Sequence, residues 1–264
     1  MTTVRWDPQQ YVRYADERGR PFHDLLARVA PDRPPSSVVD LGCGPGTLTA
    51  TLAQRWPEAT VTGVDSSAEM IEECAAVAGP RLRFVRADLR SWTPDRPVDV
   101  IVSNATLQWV PDHLALLPTL IGALADGGLL ALQVPGNFHE PSHTLLRDLR
   151  ESPRWRDLLG RHVTPDLDRA ASVGTPQDYL AALAGAGCRA DVWETTYLHL
   201  LSGPDPVLEW MRGTGARPTL AALPPDAREE FEREYAGLLR AAYPEHDHGT
   251  VLPFRRIFAV ARRP

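Results

Sequence analysis

The sequence predicts an α/β fold, a doubly wound, mostly parallel sheet with helices packed on it. Three observations carry that expectation. Strand-like and helix-like segments alternate up to about residue 135, the pattern of a parallel sheet covered by helices. A glycine-rich turn, Gly42-Cys43-Gly44-Pro45-Gly46, joins an apolar run to a helix-like one. Successive strand-like runs then stop at a polar residue, first Asp65, then Asp88, then Asn104.

In chain order, residues 1–30 form an N-terminal helical lid. Tyr11 and Tyr14 share a face if this segment is helical, either packed on the sheet or turned to a ligand. Arg18, Arg20 and His23 follow, as cationic donors or as a solvated face. Val38-Val39-Asp40-Leu41 is the first strand. The glycines after it allow a tight turn and a close approach of ligand to backbone, where a Cβ would collide. Residues 47–56 are helical, with the free N–H groups of a helix start beside the turn. Residues 59–65 make the second strand. Ser66-Ser67-Ala68-Glu69-Met70 starts a helix, with serine at the cap and an acid in the first turn. Residues 82–89 are the third strand, with Asp88 at its end, and 98–104 the fourth. Leu107-Gln108-Trp109-Val110-Pro111 is a loop. Asp112 caps a helix over 113–124, which Asp126-Gly127-Gly128 ends. Residues 129–134 are the fifth strand, nearly all apolar, as a strand buried on both faces should be.

The glycine spacing points to the ligand. A dinucleotide turn reads G-x-G-x-x-G, with pyrophosphate on the helix N-terminus. Here it reads G-x-G-x-G, and Asp40 sits two residues before the first glycine. An acid there suits a cation better than a diphosphate, and S-adenosylmethionine carries an ammonium and a sulfonium. An acid about 20 residues beyond the glycines, here Asp65, can hold ribose hydroxyls. The segment resembles the first motif of class I S-adenosylmethionine-dependent methyltransferases, whose core is a Rossmann-like sheet of seven strands with an antiparallel last strand. The resemblance implies a donor pocket of Asp40, Gly42, Gly44, Gly46, Asp65, Ser66, Met70 and Asn104. It also implies Asp88 on the adenine amino group, Leu89 beside the ring, and Asn104 where the transferred methyl group lies.

The alternation breaks after residue 135. Residues 138–174 are polar and rich in Arg, Asp and Pro, and 177–186 read as a helix stopped by Gly187. Residues 191–201 alternate as a sixth strand, 203–249 are helical with proline punctuation, and 254–263 make a last strand. One domain over 1–264 is expected, with its core in 31–137, 175–202 and 250–264. Insertions at 138–174 and 203–249 form a helical cap, placed to cover the carboxyl ends of the strands and exclude water. His139-Glu140-Pro141-Ser142-His143 matches the zinc-protease pattern H-E-x-x-H. Pro141 breaks the continuous helix that motif needs, so a helix starts at Pro141 and leaves His139 outside it. No metal is expected there, and His246-Asp247-His248 reads as a polar loop.

Composition sets bounds on function. A net charge of −6 over 264 residues argues against a general nucleic-acid surface. The first twelve residues are polar and contain Trp6, Asp7 and Pro8, unlike a signal peptide. No apolar run reaches transmembrane length. Three cysteines, Cys43, Cys74 and Cys188, lack a metal-ligand pattern and fit free thiols in a reducing cytosol. A cytoplasmic location is the expectation from these features, and a monomer is expected without a sequence feature to carry it.

A closer resemblance, to the trans-aconitate 2-methyltransferase family, runs from end to end. It rests on Trp6-Asp7-Pro8, on Asn104-Ala105-Thr106-Leu107-Gln108-Trp109 with Pro111-Asp112-His113, and on Glu140-Pro141 with His143. Trp193-Glu194-Thr195-Thr196-Tyr197 with His199, Thr214-Gly215 with Arg217-Pro218, and Arg256-Ile257-Phe258 complete it. Residues 151–174 depart from the bacterial pattern. The resemblance implies methyl transfer to one carboxylate of a small acid, trans-aconitate, giving a monomethyl ester. A carboxylate has a pKa near 4 and is already ionised at neutral pH, so it needs no general base. The sequence shows no Ser-His-Asp or Cys-His arrangement that would supply one. What the site must hold is the spectator carboxylates, and arginine's planar fork suits them. The candidates for that clamp are Arg217, Arg256, Tyr197 and His199, with Asn104, Gln108 and Trp109 at the floor. Core packing or a cap-to-core ion pair would explain Tyr197 and Arg217 equally well. Methyl transfer to another small acid or to a natural-product hydroxyl, and donor binding without turnover, are the alternatives.

Overall fold

In the computed structural model, residues 15–160 and 173–264 are described. The strands are β1 (Ser37–Leu41), β2 (Thr60–Asp65), β3 (Leu82–Arg86), β4 (Val98–Asn104), β5 (Leu124–Pro135), β6 (Arg189–Leu201), β7 (Glu245–His246) and β8 (Gly249–Arg262). They form one sheet in the order β3-β2-β1-β4-β5-β8-β6, with the two-residue β7 on β8. β1 pairs in parallel with β2 and β4, β2 with β3, and β4 with β5, whereas β8 runs antiparallel to β5. The expected parallel sheet with an antiparallel last strand is therefore present, extended by the short β7. The strand order reverses between β1 and β4. In open α/β sheets ligands bind at such a switch point, outside the carboxyl ends of the strands.

The helices are α1 (Ala15–Ala27), α2 (Thr47–Arg55), α3 (Ala68–Glu73), α4 (His113–Gly122), α5 (Pro141–Glu151), α6 (Pro153–Leu159), α7 (Pro176–Gly185), α8 (Pro206–Arg212), α9 (Arg217–Ala222) and α10 (Pro225–Ala242). The chain divides into two units. A sheet unit takes 18–135, 173–195 and 256–264, and a helical unit takes 15–17, 136–160 and 196–255 of the described residues. The sheet unit's core joins Val39, Leu41, Ile101, Leu130, Leu132 and Ile257 to Leu117 and Leu120 of α4 and Tyr179 and Leu183 of α7. α1 contributes the buried Phe22, Leu25 and Leu26, while Arg20 and His23 are exposed. Tyr11 and Tyr14 lie outside the described residues. The helical unit has its own core of Leu146, Trp155, Leu159, Trp210, Phe231, Tyr235 and Phe254. There the Trp155 indole donates to Glu234 at 2.8 Å, and the Tyr243 hydroxyl accepts from the Ser142 amide at 3.0 Å. Among the described residues no helix is long and apolar enough to cross a membrane.

Local expectations differ from the structure in three places. β3 stops at Arg86, so Asp88 and Leu89 stand in the following turn, which Ser91 N closes on Asp88 O. Asp126-Gly127-Gly128 does not end a helix. α4 stops earlier, and these residues make an irregularity inside β5, where the register shifts against β4 and Gly127 takes φ 73°. Asp112 stands at the N-cap of α4, but at φ 52° and with no side-chain hydrogen bond to the helix. α5 does begin at Pro141, with Glu140 as its cap, so His139 and His143 do not share a helix.

Candidate active site

The turn after β1 is held by its own backbone. Gly42 N and Cys43 N both donate to Val64 O, at 2.7 and 3.1 Å, and Gly46 N donates to Cys43 O at 3.2 Å. Gly44 N donates to Asp65 Oδ2 at 3.0 Å, and the other oxygen of Asp65 accepts from Ser67 N at 2.9 Å. Four amides of the loop, those of Gly42, Cys43, Gly44 and Gly46, are thus already engaged. The glycines take φ 77°, 55° and 80°, a region that residues with a Cβ rarely adopt. Their roles differ. A Cβ on Gly42 would lie 2.1 Å from the Thr106 side chain, and one on Gly46 2.7 Å from Phe84. Packing alone requires glycine at these two positions. Only at Gly44 would a Cβ meet nothing within 4 Å.

Charge at this end is negative. Asp40 is buried, and its Oδ2 accepts from the Thr49 hydroxyl at 2.6 Å, tying β1 to α2. Burial pushes its carboxyl up to about 6, with the Thr49 bond opposing and the nearby Asp65 adding to the rise. Cys43 and Cys74 are buried free thiols whose pKa values burial also raises. Cys74 Sγ donates to Gly44 O at 3.2 Å. Ser67 caps α3 by accepting from Met70 N at 3.2 Å, and Ser66 is exposed. Asp88 is chelated by Arg90, whose Nε lies 3.0 Å from both carboxylate oxygens. Those bonds hold its pKa below the ordinary carboxylate value. Two buried or half-buried acids, an open glycine and engaged amides fit a cationic donor such as S-adenosylmethionine.

A second polar group lies at the carboxyl ends of β4 and β5. Asn104 and Gln133 are register partners on these strands. Ala105 follows at φ 52°, its N–H donating to Gln133 O at 2.9 Å. That kink leads into a 3₁₀ turn at Leu107–Trp109, where Gln108 Nε2 donates to Ala105 O at 2.6 Å. β8 adds Arg256, paired with Pro135 of β5 and buried, whose Nη1 donates to Gln133 Oε1 at 3.3 Å. Asn104 Oδ1, Gln108 Oε1 and Gln133 Nε2 are buried with no hydrogen-bond partner among the described residues. Trp109 is 42% exposed.

The structure thus brings Asn104, Gln108 and Arg256 together in the sheet unit. The other three candidates lie in the helical unit. Tyr197 and His199 are buried on β6, and the His199 ring stacks on Trp210 at 4.8 Å between centroids. Arg217 is the first residue of α9. His143, the second histidine of the protease-like pattern, packs against Phe138 and bonds to the Ser142 hydroxyl.

A family model described as a methyltransferase domain matches residues 11–189. The trans-aconitate 2-methyltransferase of Streptomyces coelicolor is 57% identical, covering 100% of this chain and 88% of that protein. The enzyme of the same name from Rhodococcus jostii is 50% identical, over 97% of this chain and 99% of its own. The chain belongs to the trans-aconitate 2-methyltransferase family. Solved structures agree on the fold. A putative methyltransferase from Bacillus halodurans superposes with TM-score 0.58 at 14% identity, covering 93% of this chain and 100% of that one. Coclaurine N-methyltransferase, bound to N-methylheliamine and SAH, superposes with TM-score 0.54 at 18% identity, covering 94% and 73%. As a member of this family the chain is an S-adenosylmethionine-dependent methyltransferase. Within it, one residue of the polar group escaped the sequence reading. Gln133 sits in an otherwise apolar strand, and that lone amide was the available signal.

Proposed function

We propose that this chain transfers a methyl group from S-adenosylmethionine to one carboxylate of trans-aconitate, giving the monomethyl ester. The observation that carries the reading is the buried pairing of Arg256 with Gln133 beside Asn104, in a chain whose full-length relatives bear that name. The donor supplies an electrophilic methyl on a sulfonium. A carboxylate oxygen forms the new C–O bond as the C–S bond breaks, and the electron pair goes to sulfur.

The residues divide by charge. Asp40, Gly42, Gly44, Gly46, Asp65, Ser66, Met70, Asp88, Leu89 and Asn104 are the proposed donor side, where acids and carbonyl acceptors favour a cation. Arg256 is the proposed acid side, with Gln108 and Trp109 as its floor. Arg217, Tyr197 and His199 are the helical unit's candidates. A buried guanidinium is favoured by a carboxylate in contact with it, because charge-assisted bonds contribute about 1.5–3 kcal/mol each. Ionised acid needs no base, so the residues have to orient the reactants and hold the spectator charges.

The test is transfer from methyl-labelled S-adenosylmethionine to trans-aconitate, with cis-aconitate, citrate and isocitrate alongside. Base-labile label, strongest with trans-aconitate and, at saturating donor, flat with pH above the acid's own pKa values, is the expected result. Donor binding with no transfer to any of these acids would overturn the acceptor.

A further inference from the structure

The run Leu129, Leu130, Ala131, Leu132, Gln133, Val134 is buried at every position, and Gln133 is its one polar side chain, with no exposed surface. Leucine or methionine would fill that volume without desolvating an amide, so packing alone does not explain glutamine there. The amide is only half engaged. Its Oε1 accepts from Arg256, while Nε2, which carries two N–H donors, meets no partner among the described residues. Both neighbours belong to the proposed reaction site: Asn104 is its register partner on β4, and Arg256 is its hydrogen-bond donor from β8.

We infer that Gln133 is a specificity-determining residue for the acid. Its carbonyl oxygen fixes the Arg256 guanidinium, and its Nε2 donates to a carboxylate oxygen of the substrate beside that arginine. Guanidinium and amide then present adjacent donors to a single carboxylate, which is a recognition element for a spectator charge. Glutamine serves where glutamate would not. A carboxylate at 133 would pair with Arg256 itself and repel the acid. This inference rests on the acid-methylating reading of the same site.

The experiment compares Gln133→Met and Gln133→Glu with the unaltered protein, using trans-aconitate and the dicarboxylates itaconate and mesaconate. Donor affinity is measured by calorimetry and unfolding by scanning fluorimetry. For trans-aconitate, kcat/KM should fall about 10- to 100-fold in Gln133→Met through KM, as expected for a lost hydrogen bond to a charged group. It should fall further in Gln133→Glu. The preference for the tricarboxylate over the dicarboxylates should collapse in both, with the donor Kd unchanged. An equal loss for all acids, or a loss that follows weakened donor binding, would assign Gln133 a merely structural role and overturn the inference. Should the unaltered protein bind donor but methylate none of these acids, the acid-methylating reading itself fails, and with it the inference.

Discussion

The two ends of the proposed site, both in the sheet unit, are built on opposite plans. Between Gly42 and Asp65 the polar groups engage one another. Loop amides bond to Val64 and Asp65, and Asp40 bonds to Thr49. Around Asn104, Gln108 and Gln133, polar atoms are buried and stay unmatched among the described residues. Each such atom lowers folding stability by about 1–3 kcal/mol unless something meets it. A cation of fixed shape is met by backbone conformation and a negative field, which the fold completes by itself. At the acid end the fold leaves one side-chain donor, Gln133 Nε2, and two acceptor oxygens, Asn104 Oδ1 and Gln108 Oε1, without a partner among the described residues.

The sharpest way to break this contrast is at Asp65. Its carboxylate holds the amides of Gly44 and Ser67, and charge-assisted bonds of this kind contribute about 1.5–3 kcal/mol each. Asp65→Ala should weaken donor binding about 100-fold or more, read by titration calorimetry, with Asp65→Asn in between. A donor Kd unchanged in Asp65→Ala would show that the loop needs no such tie.

The same contrast explains what could be read from the sequence. The donor loop is local: three glycines, the strand before them and the acid ending the next strand lie in one stretch of chain, so the turn is legible in sequence and the family resemblance supplies its ligand. The parallel sheet followed from the alternation and its antiparallel last strand from the family resemblance, whereas the strand order is a finding of the structure. Other features escaped because they depend on distant partners. That Gly42 is required by Thr106, and Gly46 by Phe84, is a packing fact between separate strands and loops. The sequence puts Asp88 at a strand end because the run 82–89 carries no sign of where pairing stops, and pairing stops at Arg86. Gln133 was absorbed into an apolar strand, since its meaning appears only when β8 delivers Arg256 beside it.

A second, smaller effect sharpens the donor end. Asp40 is pushed up to about 6 by burial, so it gains its charge between the ordinary carboxylate range and neutrality. A cationic donor favours the ionised form. Its affinity should therefore tighten as pH rises from 5 to 7 and then level, by at most about tenfold per pH unit below the pKa. Asp40→Asn should flatten the profile. The thiols of Cys43 and Cys74 are raised by burial and stay neutral throughout this window, so they add no slope. A flat profile in the unaltered protein would remove Asp40 from the donor's field.

The smallest effect is a control that separates stability from both ends of the site. His113 on α4 is buried, with Nδ1 3.3 Å from Val110 O and Nε2 2.6 Å from the Tyr179 hydroxyl on α7. A ring nitrogen facing a carbonyl must carry the proton, so Nε2 accepts from Tyr179. Burial lowers the imidazole's pKa below its ordinary value of 6.5. The unfolded chain then binds the proton more readily than the folded one. Stability from the neutral ring is full above pH 6.5 and declines as pH falls below it. Tyr179→Phe leaves that nitrogen buried without its donor, at a cost of about 1–3 kcal/mol. The melting temperature at pH 7.5 should drop by several degrees, with donor Kd and kcat per folded molecule unchanged. If kcat fell as well, the α4–α7 contact would be coupled to the neighbouring turn that carries Gln108, and the division between a satisfied scaffold and an unsatisfied acid end would have to be redrawn at that turn.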